Sequence, residues 1–428
     1  MEKMLQRLGA FTPPGRQEIS RRIDGLKEVM VKRGINFAII MQNVDMFYFT
    51  GTLQKGMLAV APDHDPLLFI EKSVTRAKLD TPLEIIPIKN NREAKATLVS
   101  KNILQGRGGM ELDVVPVTVF ERFKSVMGCD NFVDISPLIR ELRMLKSPYE
   151  LAQIRKSGAI FSHVYNRAKE VIREGVSEVA IQALLVAEGR IRGHQGFPRI
   201  RGFNQEMMPM CVFAGYSSGI PSFWDGPIAG LGVTPAMPQG PSLLPVQRGI
   251  PVIIDYGSGY NGYVTDETRV FVAGEMREIF RKPYEVAREI LEDAAKFGKA
   301  GVNSTELYER ACRMVKKAGL EEHFMGHGEG QVSFVGHGLG LEMNELPVIT
   351  ARHRRTLEAG MVFACEPKFV FPGIGAVGLE VSFIVGNGCL ERISDVPLDL
   401  VNVPAAKRCI DRPDGAAGDM PMLPVPSA

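Results

Sequence analysis

The stretch VIIDYGSGYNGYVTDETRVFVAG, residues 252–274, constrains this chain more than any other. Two β-rich runs flank GSGYNG, a hairpin signal. A turn centred between Tyr260 and Asn261 sets Asp255 directly opposite Asp266. Opposed residues have β-carbons about 5 Å apart on one face, and like charges there repel. Water would screen such a pair at a surface. Here Val252, Ile253 and Ile254 on one run, and Val270, Phe271 and Val272 on the other, mark both strands as buried. Two buried carboxylates need a shared proton or a cation.

The pattern recurs in MVFACEPKFVFPGIGAVGLEVSFIV, residues 361–385, where a PGIG turn centred on Gly373 sets Glu366 opposite Glu380. Between the two hairpins lies GHGLGL, residues 336–341, with His337 inside a collar of glycines. A phosphate loop would need a following helix and usually a lysine; LEMNELPVIT offers no such helix, and Pro347 opposes one. A lone histidine is more often a satisfied core residue. Beside these carboxylates, metal ligation is the stronger reading. Such an oxygen-rich set suits manganese, iron, cobalt or a carboxylate-rich zinc pair. Two ions about 3.5–4 Å apart, bridged by carboxylates, would hold a hydroxide and polarise a carbonyl, the chemistry of metal-assisted amide or ester hydrolysis.

The 428 residues suffice for two domains, and 45% hydrophobic with 23% charged residues describes a soluble globular chain. A net charge of +2 gives no bulk attraction to nucleic acid or membrane, so neither is expected as a partner. No apolar run reaches spanning length, and MEKMLQRLGAFTPPG lacks the apolar centre of a signal peptide. The six cysteines show no paired spacing, which argues against a thiolate zinc site or disulfide framework and fits a reducing cytoplasm.

Residues 20–140 alternate helix and strand signals without a Gly-rich phosphate loop, as in a small α/β domain, here 1–145. At SPYELAQIRKSGAIF a capping box of Ser147 and Glu150, with Pro148 at the first helical position, opens a long helix expected to stop at Gly175. It begins a second domain, 146–404, within which 175–193 and 301–319 echo each other as helices running from Gly-Val to glycine. The tail 405–428, rich in proline, glycine and alanine, reads as a flexible extension.

The motifs D-Y-G-x(4)-G-Y-x(2)-D-x-T-R at 255–269, G-H-G-x-G-L at 336–341, E-P at 366–367 and Glu380 resemble the creatinase/aminopeptidase P/prolidase family, relatives of methionine aminopeptidase. The resemblance implies an α+β fold: a C-terminal pita-bread domain preceded by a smaller α/β creatinase N-terminal-like domain. It implies that Asp255 binds one metal, that His337 and Glu366 bind the other, and that Asp266 and Glu380 bridge both. Glu366 would be the catalytic proton shuttle. The cofactors implied are two divalent ions, manganese first, with cobalt, iron or zinc also suited. The reaction implied is removal of an N-terminal residue before proline, or cleavage of an Xaa-Pro dipeptide, by a metal-bridging hydroxide in a cytoplasmic homodimer.

Two positions depart from that pattern. HGLGLEMNELP carries Asn344 where the family's peptidases carry a second histidine, and no histidine lies between His194 and His323. An asparagine amide donates a hydrogen bond but carries no proton near neutral pH. Asn344 is therefore either a substrate contact or a turn residue held by backbone bonds. Residues 197–240, with the only tryptophan, should line the substrate pocket, with Arg199, Arg201, Trp224 and Asp225 as candidate contacts. The readings left open are an Xaa-Pro peptidase, an amidohydrolase or lyase acting on a small non-peptide molecule, and a peptide-binding module. The full ligand set counts against the last.

Overall fold

A computed structural model of the protein describes residues 13–404, so the expected flexible tail lies outside the described residues. The first part is a six-stranded mixed sheet built from β1 (Phe37–Ile40), β2 (Gly56–Val60), β3 (Leu67–Ile70), β4 (Ile85–Pro87), β5 (Gly108–Met110) and β6 (Phe132–Asp134). Their spatial order is β4-β3-β2-β1-β5-β6. Strand alternation sends Phe37, Ile39 and Phe69 into one core and Ala38, Ile40 and Leu68 into another. The second of these cores continues into Tyr263, Leu341 and Met343, so it also joins the first part to the second.

The junction is the predicted capping box. Ser147 Oγ accepts from Glu150 N at 3.2 Å and Glu150 Oε2 accepts from Ser147 N at 3.0 Å. The helix it opens, Pro148–Val171, ends four residues short of Gly175. The helix Glu178–Ile191 follows, and both pack on a sheet of β7 (Met210–Ala214), β8 (Pro251–Tyr260) and β9 (Tyr263–Ala273). A second pair of helices, Glu278–Phe297 and Ser304–Ala318, backs the sheet of β10 (Phe334–Gly338), β11 (Glu345–Thr350), β12 (Val362–Cys365), β15 (Val381–Val385) and β16 (Leu390–Arg392). The sequence echo thus corresponds to helices in equivalent places on two sheets. A short ribbon of β13 (Lys368–Phe371) and β14 (Gly375–Gly378) sits at the tip of the later hairpin, and β17 (Val401–Val403) runs parallel to β9 at the edge of the first sheet.

The two hairpins differ in how well their register follows from sequence. In the first, the turn is Asn261–Gly262, with φ of 51° and 87°, not a turn centred one bond earlier. The ladder therefore pairs Asp255 with Thr268 and Gly257 with Asp266. The two aspartates are diagonal neighbours on one face, rather than directly opposed. In the second hairpin the register is the expected one: Cys365 pairs with Val381 and Lys368 with Gly378, leaving Glu366 across from Glu380 between two ladders. Pro367 has no N–H to continue the ladder. Glu366 N instead donates to Val335 O at 2.9 Å, and Glu380 N to Thr268 O at 3.2 Å.

Candidate metal centre and active site

That broken ladder draws three strand systems together. Thr268 and Glu380 form an isolated bridge, and Thr268 Oγ1 donates to Glu380 Oε2 at 2.9 Å. Arg269 Nη1 donates to Glu380 O at 2.8 Å, while its Nη2 is paired with Glu267 Oε2 at 3.0 Å. Ser382 Oγ accepts from Asp266 N at 2.9 Å and donates to Asp266 O at 2.7 Å. The T-R pair of the motif is thereby a brace for Glu380, and Ser382 fixes Asp266.

His337, on β10, brings its Nε2 to 3.9 Å from Asp266 Oδ2 and to 3.7 Å from both Glu366 Oε1 and Glu380 Oε1. Its side chain keeps 19% exposure and reaches the cavity. One ligand atom each from Asp266, His337 and Glu380 lies within 4.8 Å of the others. Asp266 Oδ1 and Glu380 Oε1 are buried with no hydrogen-bond partner. Buried carboxylate oxygens are rarely left so, and a cation would satisfy both. The donor set fits a divalent metal there.

A second cation is already present as a side chain. Lys368 Nζ, buried, donates to Asp255 Oδ2 at 3.0 Å, Glu366 Oε2 at 3.0 Å and Glu380 Oε2 at 2.9 Å. The sequence reading passed over it. The available signal was a lone lysine in the apolar run KFVF, two residues after Glu366 and so on the same strand face. Burial alone would discharge the ammonium, but Asp255, Glu366 and Glu380 hold its pKa well above the ordinary lysine value. Burial, then the Glu380 and Asp255 charges, raise the Asp266 carboxyl far above its usual range. Burial would raise Glu380 as well, but Lys368 and His337 pull it down. Carboxyl groups in one site are thus driven apart, which is how acid and base roles separate.

Asp255, Asp266, His337, Glu366 and Lys368 line a cavity of about 320 Å³ whose apolar wall includes Met207, Met208, Phe213, Trp224 and Ile228. Trp224 and Asp225 line it as expected; Arg199 and Arg201 are not among its lining residues. Arg201 is drawn away by carboxylates: its Nη1 pairs with Asp45 at 3.0 Å and its Nε with Asp113 at 2.6 Å, both in the first part of the chain. The Arg199 guanidinium lies over the Phe197 ring at 5.3 Å. Asn344 lines the cavity, but its Oδ1 accepts from Arg201 N at 2.9 Å and its Nδ2 donates to Arg201 O at 2.7 Å. One N–H and one lone pair of its amide are therefore held by the backbone. His337 is the only histidine among the described lining residues. His194 is structural: its Nδ1 accepts from Gly196 N at 2.9 Å, which leaves Nε2–H to donate to Gly257 O at 3.0 Å.

The sequence profile of metallopeptidase family M24 matches residues 152–387, and that of the creatinase/prolidase N-terminal domain matches residues 22–145. The chain is 26% identical to an Xaa-Pro dipeptidase of Pyrococcus furiosus, covering 90% of this chain and 100% of that one. It is 27% identical to an Xaa-Pro dipeptidase of Lactobacillus helveticus, covering 89% and 99%. Among solved structures, an X-Pro aminopeptidase from Thermotoga maritima superposes with a TM-score of 0.74 at 25% identity, covering 88% of this chain and 100% of that one.

Proposed function

We propose, since the chain belongs to metallopeptidase family M24, that it is a metal-dependent hydrolase cleaving the bond before proline in dipeptides or short peptides. The observation that carries this reading is the pair of unpartnered buried oxygens, Asp266 Oδ1 and Glu380 Oε1, beside the His337 imidazole in a cavity of peptide size. Asp266, His337 and Glu380 would hold a divalent ion. When bound, such an ion acts as a Lewis acid that acidifies water and polarises a carbonyl.

The remaining work falls to the protein. Glu366 has one oxygen held by Lys368 and the other, Oε1, turned toward His337. Burial raises its carboxyl, with Lys368 opposing that rise. A carboxylate with a raised pKa accepts a proton from the attacking water and returns it to the leaving imino nitrogen. Methionines and Trp224 exclude water and suit an apolar side chain. Glu206 and Asp225 are exposed lining residues of the same cavity, and Lys368 is its only described lining cation. That charge pattern suits the N-terminal ammonium of a peptide.

A second reading, hydrolysis of a small non-peptide amide, is favoured by one observation: no imidazole but His337 lines the cavity among the described residues. The test is a substrate panel on manganese-loaded protein. Release of the residue before proline supports the first reading; cleavage of non-peptide amides alone supports the second and overturns the first.

A further inference from the structure

Four carboxylates, Asp255, Asp266, Glu366 and Glu380, would ordinarily call for two divalent ions, but here Asp255 faces Lys368, Asp266 faces His337, and Glu366 and Glu380 each turn one oxygen to either side. Lys368 spends all three of its N–H donors on Asp255, Glu366 and Glu380, at 2.9 to 3.0 Å. Among the described residues Asp255 is thus satisfied by a side chain, whereas Asp266 Oδ1 and Glu380 Oε1 are left without a hydrogen bond on the His337 side. The lysine stem is built in as well. It lies against Gly378, where an added β-carbon would come within 2.6 Å of Lys368 Cα and 2.7 Å of its Cγ. Only a glycine across the ribbon leaves that room.

We propose that the Lys368 ammonium takes the place of one of the two cations, so that the chain binds a single divalent metal between Asp266, His337 and Glu380. This rests on the reading of the site as metal-dependent, but not on which substrate is cleaved. Asp255 then is a positioning residue for Lys368, not a metal ligand. Of the four carboxylates the ammonium offsets one and the metal two, which leaves one net negative charge; a second divalent ion would have to share its oxygens with a fixed positive charge about 3 Å from them, which is strongly repulsive in a buried site.

The test is metal stoichiometry, measured by elemental analysis of full-length protein saturated with Mn²⁺ and then desalted. The expected result is one ion per chain, with the six-line paramagnetic resonance spectrum of an isolated Mn²⁺. Lys368→Ala is expected to hold two ions and to show a coupled-pair spectrum. Asp255→Asn is expected to retain one ion, while Asp266→Asn loses it, so the proposal stays testable even where Lys368→Ala fails to fold. Two ions or none in the native chain, one ion in folded Lys368→Ala, or loss of the ion in Asp255→Asn overturns the proposal. A peptide panel that fails while one ion is bound would overturn the substrate reading alone.

Discussion

The Asn344 amide accepts a hydrogen bond from the Arg201 N–H and donates one to the Arg201 carbonyl, so both of its polar ends are engaged by one residue. Asn344→Ala should therefore lower stability by about 1–2 kcal/mol, roughly two net hydrogen bonds, in chemical denaturation. Its effect on kcat/KM should be modest, because the amide's two backbone bonds already fix it to Arg201. Glu366→Gln should behave in the opposite way. It is isosteric and its amide oxygen can still accept from Lys368 Nζ, so the fold should hold, but it removes the proton acceptor. Its kcat should fall by about 10²–10⁴-fold while the metal content is unchanged. That Asp255, Asp266, Glu366 and Glu380 meet in one place was legible in the sequence because carboxylates inside apolar β-runs demand a partner, and His337 was legible from its position between the two hairpins. Lys368 was equally visible as a residue, yet its role was not. A lysine in a strand is ordinarily solvated, and only the register that sets it beside Gly378 and behind Pro367 shows that it is buried.

At the scale of elements, the hairpins carry the site. The Asn261–Gly262 turn needs positive φ at both residues, and a β-carbon on Gly262 would meet Leu341 Cδ2 at 3.1 Å and Phe47 Cε1 at 3.3 Å. Gly262→Ala should destabilise the protein by about 1–2 kcal/mol, the cost of a left-handed residue with a side chain, read as a lowered Tm. The sequence GSGYNG contains several turn-forming residues, so apolar periodicity alone leaves its register open by one residue. Local sequence resolves this only if Asn-Gly is given priority. The PGIG hairpin offers a single turn centre, Gly373 at φ 71°, and its register was legible. The helix Glu178–Ile191 contributes from a distance. The Glu178 carboxylate accepts from Ala214 N at 2.6 Å, Ser242 N at 2.6 Å and Ser242 Oγ at 2.7 Å, and also from Ser217 Oγ. It thereby fastens both ends of the segment that supplies Trp224, a long-range link that no local pattern encodes.

Across the whole molecule, a buried ion cluster joins the two parts of the chain. Arg143 pairs with Asp45 at 2.7 Å and Glu342 at 2.9 Å, and also with Glu345, which in turn takes Lys146 at 3.1 Å. Burial would raise the Glu345 carboxyl, but Arg143 and Lys146 outweigh it and bring it down to about 2 from an ordinary 4.5. A carboxyl depressed in the folded state adds stability that is present above the unfolded value and disappears as pH falls through the folded one. Denaturation midpoints should therefore drop between pH 4.5 and pH 2, and the drop should shrink in Glu345→Gln. The two-part organisation was legible from the Ser147 capping box, whereas this cluster, drawn from residues some three hundred positions apart, was not. What the cluster fixes in space is the strand end next to His337, and so the metal-dependent site. The most direct measurement is to titrate Mn²⁺ into chelator-stripped protein while following hydrolysis of an apolar Xaa-Pro peptide. Hydrolysis that rises with occupancy and saturates at one ion per chain is the predicted result; hydrolysis indifferent to metal, or none at full occupancy, would contradict it.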